Sequence, residues 1–142
     1  MAEAHTVALD EETKPADIQA ILQGLEAFNT AQLGGEQQKY LVATVRDAAG
    51  AVRGGVFGAT YMGWLHVQAI WLDDSLRGSG HGTTLMQLAE KEALRRGCQK
   101  AFVETLSFQA LPFYEKLGYT VFSTLPGMPA GGARYALTKV LA

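Results

Sequence analysis

Cysteine is almost missing from this chain: Cys98 stands alone among 142 residues. One thiol makes no intrachain disulfide and builds no multi-cysteine zinc site. Charge is scarce as well. Charged residues make up 18%, and 12 Lys and Arg against 14 Asp and Glu leave a formal net charge of −2. The strongly basic surface that a nucleic-acid partner usually requires is therefore excluded. No run of about 18 apolar residues occurs, so no membrane-spanning helix is expected. The opening stretch MAEAHTVALDEE lacks a basic start followed by an apolar run, and is not expected to be a secretion signal. The acidic pair Asp73-Asp74 is far short of a metal site and is expected to start a turn. No metal is expected, and the cytoplasm is the expected compartment.

What is present is apolar material. Hydrophobic residues make up 48%, enough to offset the ordering entropy of a folded core. The length fits one domain spanning residues 1–142. Sixteen glycines exceed the average of about 7% without a three-residue period, which excludes collagen.

The apolar pattern changes along the chain. Thr6 to Leu9 is short and β-prone. Pro15 suits the first turn of a helix, and Ile18, Ile21, Leu22, Leu25 and Phe28 then form one stripe on a helix of roughly residues 16–29. Alternation predicts strands over residues 38–47 and 51–61, with Leu41, Ala43 and Val45 opposite Tyr40, Val42 and Thr44. Residues 64–72 form a third strand, apolar enough to be covered on both faces. A helix is predicted over 83–96, a strand over 100–106, a short helix over 108–117, and closing strands over 119–125 and 134–141. The expected order is β-α-β-β-β-α-β-α-β-β, an α+β fold around one sheet.

The most informative segment joins the third of these meander strands to its helix: Leu72-Asp73-Asp74-Ser75-Leu76-Arg77-Gly78-Ser79-Gly80-His81-Gly82-Thr83-Thr84. Three glycines let the backbone bend and approach a ligand. The N–H groups at the start of the following helix lack partners and carry partial positive charge. Together with Arg77 they form a cradle for a phosphate or pyrophosphate. The lysine of a nucleoside-triphosphate loop is absent. The G-x-G-x-G spacing after a meander also differs from the dinucleotide fingerprint.

Arg77 to Gly82 matches R/Q-x-x-G-x-G/A, and Leu111-Pro112-Phe113-Tyr114-Glu115-Lys116-Leu117-Gly118-Tyr119 looks like a late F-Y-x-K-x-G-F/Y segment. In both, and in the order of its elements, the chain resembles the GNAT superfamily of N-acetyltransferases. The resemblance implies a mostly antiparallel mixed sheet, splayed between its fourth and fifth strands and flanked by helices. It implies acetyl-CoA as acetyl donor and a small-molecule or peptide amine as acceptor. Carried onto this chain, the pyrophosphate donors are Arg77, Gly78, Ser79, Gly80, His81, Gly82 and Thr83. Ile70, Trp71 and Leu72 would bind the pantetheine amides like an added strand, and a backbone N–H near Ile70 or Trp71 would polarise the thioester oxygen. Phe113 lies next to the cofactor. Tyr114 matches the tyrosine that donates a proton to the leaving sulfur.

The base that deprotonates the amine is His66 or Glu104, acting directly or through water. Strand alternation would place His66, Gln68, Ile70 and Leu72 on one face. Ser107 stands where many members carry an asparagine that contacts the pantetheine, a departure that shortens the reach of that contact. The acceptor site is expected from the first helix, the loop Thr30 to Gln37 and the late loop Pro126 to Gly132. Pairing of two copies through Arg134 to Leu141 is compatible with the family. A non-catalytic acyl-CoA sensor on the same fold is the alternative, although it would need neither Tyr114 nor His66.

Overall fold

Period-two burial begins at Lys39 and organises everything after it. In β1 (Lys39–Arg46) Leu41 is buried and Ala43 and Val45 pack on the core, while Tyr40 and Val42 point outward, 67% and 64% exposed. The computed structural model describes residues 3–142 and divides into two units, Met1–Gln37 and Gln38–Ala142.

In the first unit, α1 (Pro15–Gln32) starts with proline in its first turn and outlasts the expected helix at its C-terminal end. Its apolar stripe is exposed, from 48% at Ile18 to 71% at Ile21, and none of its residues is buried. Thr6 to Leu9 forms no strand, and Val7 and Leu9 are each 98% exposed. A run of four residues gains strand geometry only by pairing its N–H and C=O groups with a neighbouring strand, and the first unit contains no strand among its described residues.

The second unit is one six-stranded sheet with helices. β1 is followed by β2 (Val52–Tyr61), β3 (Trp64–Leu72), α2 (His81–Arg95), β4 (Lys100–Leu106), α3 (Leu111–Lys116), β5 (Thr120–Pro126) and β6 (Ala133–Val140). The strand order is β1-β2-β3-β4-β6-β5. All neighbours are antiparallel except β3 and β4. The chain is therefore α+β, as expected, and the fourth and fifth strands of the expectation are β3 and β4.

β6 lies between β4 and β5, so both of its hydrogen-bonding edges are filled within the chain. Any pairing of two copies through residues 134–141 would therefore not use a free edge of β6.

The core of this unit forms where α2 lies on the sheet. Leu85, Met86, Ala89 and Ala93 of α2 meet Val56, Leu65, Val67, Val103 and Leu137, all 2% exposed or less. Each fully buried side chain of this size contributes about 1.5–3 kcal/mol. Cys98 is part of this core, 4% exposed. Arg96, just beyond α2, ties the helix end to the first two strands. Its Nη1 donates to the carbonyls of Lys39 (3.3 Å) and Tyr40 (3.1 Å) and to Thr60 Oγ1 (3.1 Å), while its Nε pairs with Glu92 at 2.7 Å. A cation at a helix C-terminus also complements the helix dipole.

β3 departs from simple alternation. Phe57 pairs with Ala69 and Gly58 with Val67, so Gln68 is an extra residue, a β-bulge. Val67 faces the core, and so do Ile70 and Leu72 on the far side of the bulge. His66 and Gln68 therefore do not share a face with Ile70 and Leu72. The strand is also not covered on both sides: Trp71 is 53% exposed.

Candidate active site

β3 and β4 are hydrogen-bonded only where Trp64 to Val67 run beside Lys100 to Val103. Beyond Val103, β4 continues with β6, pairing Glu104 with Ala136 and Thr105 with Tyr135. Beyond Val67, β3 stays with β2 alone. Successive backbone groups of a strand point to alternate edges, so part of the Gln68–Leu72 backbone opens onto the gap.

The gap is a cleft of about 920 Å³. One wall is Gln68 to Leu72, and the other includes Val103, Glu104 and Thr105. Arg77, Gly78, Gly80, Gly82 and Thr83 close one end, and Phe113 and Tyr114 of α3 line it as well.

The glycine loop is built as its residues require. Asp73 accepts from the Ser75 N–H (3.3 Å) and hydroxyl (2.5 Å), opening a single 3₁₀ turn. Asp74 pairs with Arg77 at 3.1 Å. Both acidic residues therefore serve the turn, and the Ser75 bonds hold the Asp73 carboxyl below its ordinary range. Gly80 precedes α2 with φ of 85°, a left-handed conformation that side chains resist.

The first bond closing the helix runs from the Thr84 N–H to the Gly80 carbonyl (3.1 Å). The N–H groups of His81, Gly82 and Thr83 precede it and have no intrahelical acceptor. Ser79 donates to the Leu76 carbonyl (2.5 Å), so the contact between Ser79 Oγ and His81 Nδ1 (2.5 Å) places the proton on Nδ1. Neither Ser79 nor His81 lines the cleft.

Tyr114 is 4% exposed. Its ring lies edge-on to Phe113 and Tyr119, with centroids 5.2 and 5.8 Å away. Burial alone pushes its phenol up to about 12. Glu104 also reaches the cleft, on the same face as His66, but Arg134 Nε holds its carboxylate at 2.6 Å. That bond keeps the carboxyl below the ordinary range.

His66 lies outside the cleft. Its ring stacks on Phe102, 4.3 Å between centroids and 9° between planes. Burial lowers its pKa from the ordinary 6.5, while Glu104 pulls it the other way. It lines a second cavity of about 640 Å³ on the opposite side of the sheet from α2, together with Trp64, Phe102, Phe122 and Tyr61. Gln68, the bulge residue, lines both cavities. No residue from Pro126 to Gly132 lines this second cavity.

Ser107 is not on the cleft wall. Its hydroxyl accepts from the Ala133 N–H at 3.2 Å and its own N–H bonds the Ala133 carbonyl. Among the residues that sequence reasoning missed, Gln68 carries no motif, since a bulge is a matter of strand register. Gln109 is the other: its Oε1 accepts the Leu106 N–H at 2.8 Å at the end of β4, and it lines the cleft.

A splayed sheet with an anion cradle and a buried tyrosine in one cleft invites comparison with known proteins. The profile of the acetyltransferase (GNAT) family matches residues 6–119. This chain belongs to that family. Acetyltransferase Atu2258 of Agrobacterium fabrum is 37% identical over 112 residues, covering 79% of this chain and 82% of that protein. The blasticidin-S acetyltransferase of Streptomyces morookaense is 39% identical over 93 residues, 65% of this chain and 68% of its own. A crystal structure of an Agrobacterium tumefaciens protein superposes with a TM-score of 0.89 at 32% identity, covering 96% of this chain and 99% of that one.

This GNAT chain is thus an N-acetyltransferase. A Bacillus anthracis chain solved in complex with acetyl coenzyme A shares the fold, with a TM-score of 0.62 at 17% identity over 71% of this chain and 62% of that one. Among the described residues, no cluster of three or more His, Cys, Asp or Glu is placed to hold a metal. No helix among them is long and apolar enough to cross a membrane.

Proposed function

We propose that the enzyme transfers the acetyl group of acetyl-CoA directly to a primary amine, with both substrates bound at once. One observation carries this reading: the β3–β4 gap runs from Gly82 and Thr83, whose N–H groups have no intrahelical acceptor, to the buried Tyr114.

The residues fit acetyl-CoA. The loop offers backbone donors and the Arg77 guanidinium to a pyrophosphate. A β-carbon on Gly82 would come within 3.2 Å of the Phe113 ring, so the loop and α3 pack together with nothing to spare. The open edge of β3 at Ile70 to Leu72 suits an extended chain of amides. When bound, acetyl-CoA supplies an acyl carbon already activated toward an amine.

The chain's own groups then manage protons. His66, whose pKa burial lowers from the ordinary histidine value, offers a lone pair for the amine's proton. It sits in the adjoining cavity, so the amine approaches from that side past Gln68. Glu104 is the weaker base, because Arg134 already uses its carboxylate. Tyr114 keeps its proton at any physiological pH. A thiol titrates near 8.5, below the phenol's value of about 12. Tyr114 therefore acts chiefly by donating a hydrogen bond to the sulfur as negative charge develops there.

A small-molecule acceptor is favoured over a peptide by the Streptomyces relative, whose name carries a small-molecule substrate. Two measurements test the proposal: calorimetry with acetyl-CoA, and release of CoA thiol in the presence of amines. Binding in the micromolar range with amine-dependent thiol release is expected. A protein that does not bind acetyl-CoA would overturn it.

A further inference from the structure

The second cavity carries information about the acceptor that the family does not. We infer that the amine accepted by this enzyme is borne on a flat aromatic or heteroaromatic body, not on a polyamine or a lysine side chain. The inference rests on the acetyl-transfer reading above.

The cavity's volume of about 640 Å³ falls in the range of about 300–1,000 Å³ typical of small-ligand sites. Rings make its walls. Trp64 meets Phe102 edge-on with centroids 5.8 Å apart, and Phe102 already carries the imidazole of His66 stacked in parallel. Phe122, 62% exposed, stands on the wall with a free face. Such walls favour planar partners in offset or edge-to-face contact.

Charge points the same way. None of the cavity-lining residues is acidic. The nearby Glu104 is neutralised by Arg134 at 2.6 Å, and Lys100 places its ammonium 5.5 Å from the Trp64 ring centre. A polycation would meet no counter-charge here and one like charge. A single amine on an apolar ring needs only a neutral acceptor for its proton, and His66 is that group. Gln68 lines both the cavity and the cleft, so a ring seated between Trp64 and Phe122 can extend its amine toward the thioester.

The test uses the full chain and thiol release with saturating acetyl-CoA. Tryptamine and 2-phenylethylamine are compared with spermidine and Nα-acetyl-lysine. Aromatic amines are expected to show kcat/KM at least about ten-fold higher. The Phe122→Ala variant, altered at an exposed side chain, should raise KM for tryptamine about three- to ten-fold, the size of one lost ring contact, with the calorimetric Kd for acetyl-CoA unchanged. Trp64→Phe, which keeps a ring, should change it less.

Preference for spermidine or the lysine derivative overturns the inference, as does tryptamine turnover indifferent to Phe122→Ala. So does binding of acetyl-CoA with no turnover of either aromatic amine. Failure to bind acetyl-CoA is a different result, and it overturns the acetyl-transfer reading instead.

Discussion

At His66 and Tyr114, burial does opposite things to two proton-carrying groups. Desolvation disfavours whichever form is charged, so it lowers an imidazole and raises a phenol. Burial thus favours the neutral imidazole of His66, which can accept a proton, and the neutral phenol of Tyr114, which keeps its proton and can donate a hydrogen bond. Tyr114→Phe keeps the ring contacts and removes only the donor. It should lower kcat about 100-fold, the size expected for losing one hydrogen-bond donor to a developing charge, with an unchanged calorimetric Kd for acetyl-CoA. A loss under about three-fold would remove Tyr114 from the chemistry.

The acidic limb of kcat/KM reports the base. Below its pKa His66 is protonated and cannot accept, so the limb should lie below pH 6.5 in the native enzyme. Glu104 raises the His66 pKa, so Glu104→Gln should move the limb to still lower pH with activity retained. If Glu104→Gln instead abolishes turnover at every pH, Glu104 is the base.

Among the elements, the turn from β3 into α2 has the least freedom. Gly80 sits at φ of 85°, where an alanine costs roughly 1–2 kcal/mol. Gly80→Ala should lower the melting temperature by a few degrees and weaken acetyl-CoA binding several-fold by calorimetry, since the same backbone aims the first N–H groups of α2. Unchanged binding would mean that the loop does not hold the pyrophosphate. The bulge at Gln68 is the second decisive local feature. It reverses which side chains of β3 face the core, leaving His66 over one cavity and the strand's far end over the other.

For the whole molecule, Tyr114 and Tyr119 govern the response to alkali. Burial raises both phenols, and Glu90, accepting from the Tyr119 hydroxyl at 2.8 Å, raises Tyr119 further. An unfolded tyrosine ionises near 10. The folded protein keeps these protons longer, so the stability they represent is complete below about pH 10 and is lost as pH rises from there. A melting-temperature scan from pH 8 to 11.5 should be level at first and then fall steeply, and Tyr114→Phe should soften the fall. The half-buried carboxylate of Glu92, held at about 2 by Arg95 and Arg96, acts at the other end: its small contribution is present above pH 4.5 and fades as pH falls toward 2.

The sequence by itself determined the family, the glycine loop from Arg77 to Thr83, the strand that carries His66 and the short helix that carries Tyr114, because these follow from local patterns: period-two alternation, glycines before a helix, a tyrosine at a fixed place in a short motif. Tertiary structure alone decided the rest. Thr6 to Leu9 reads as a strand, yet pairing is a property of neighbours, and the first unit has no strand among its described residues. His66 and Ile70 are four residues apart and in simple alternation would share a face, but one added residue at Gln68 separates them. Glu104 and Ser107 take as hydrogen-bond partners Arg134 and Ala133, more than 20 positions away. Contacts between residues so distant in the chain leave no periodic trace in it; they exist only once the sheet has closed.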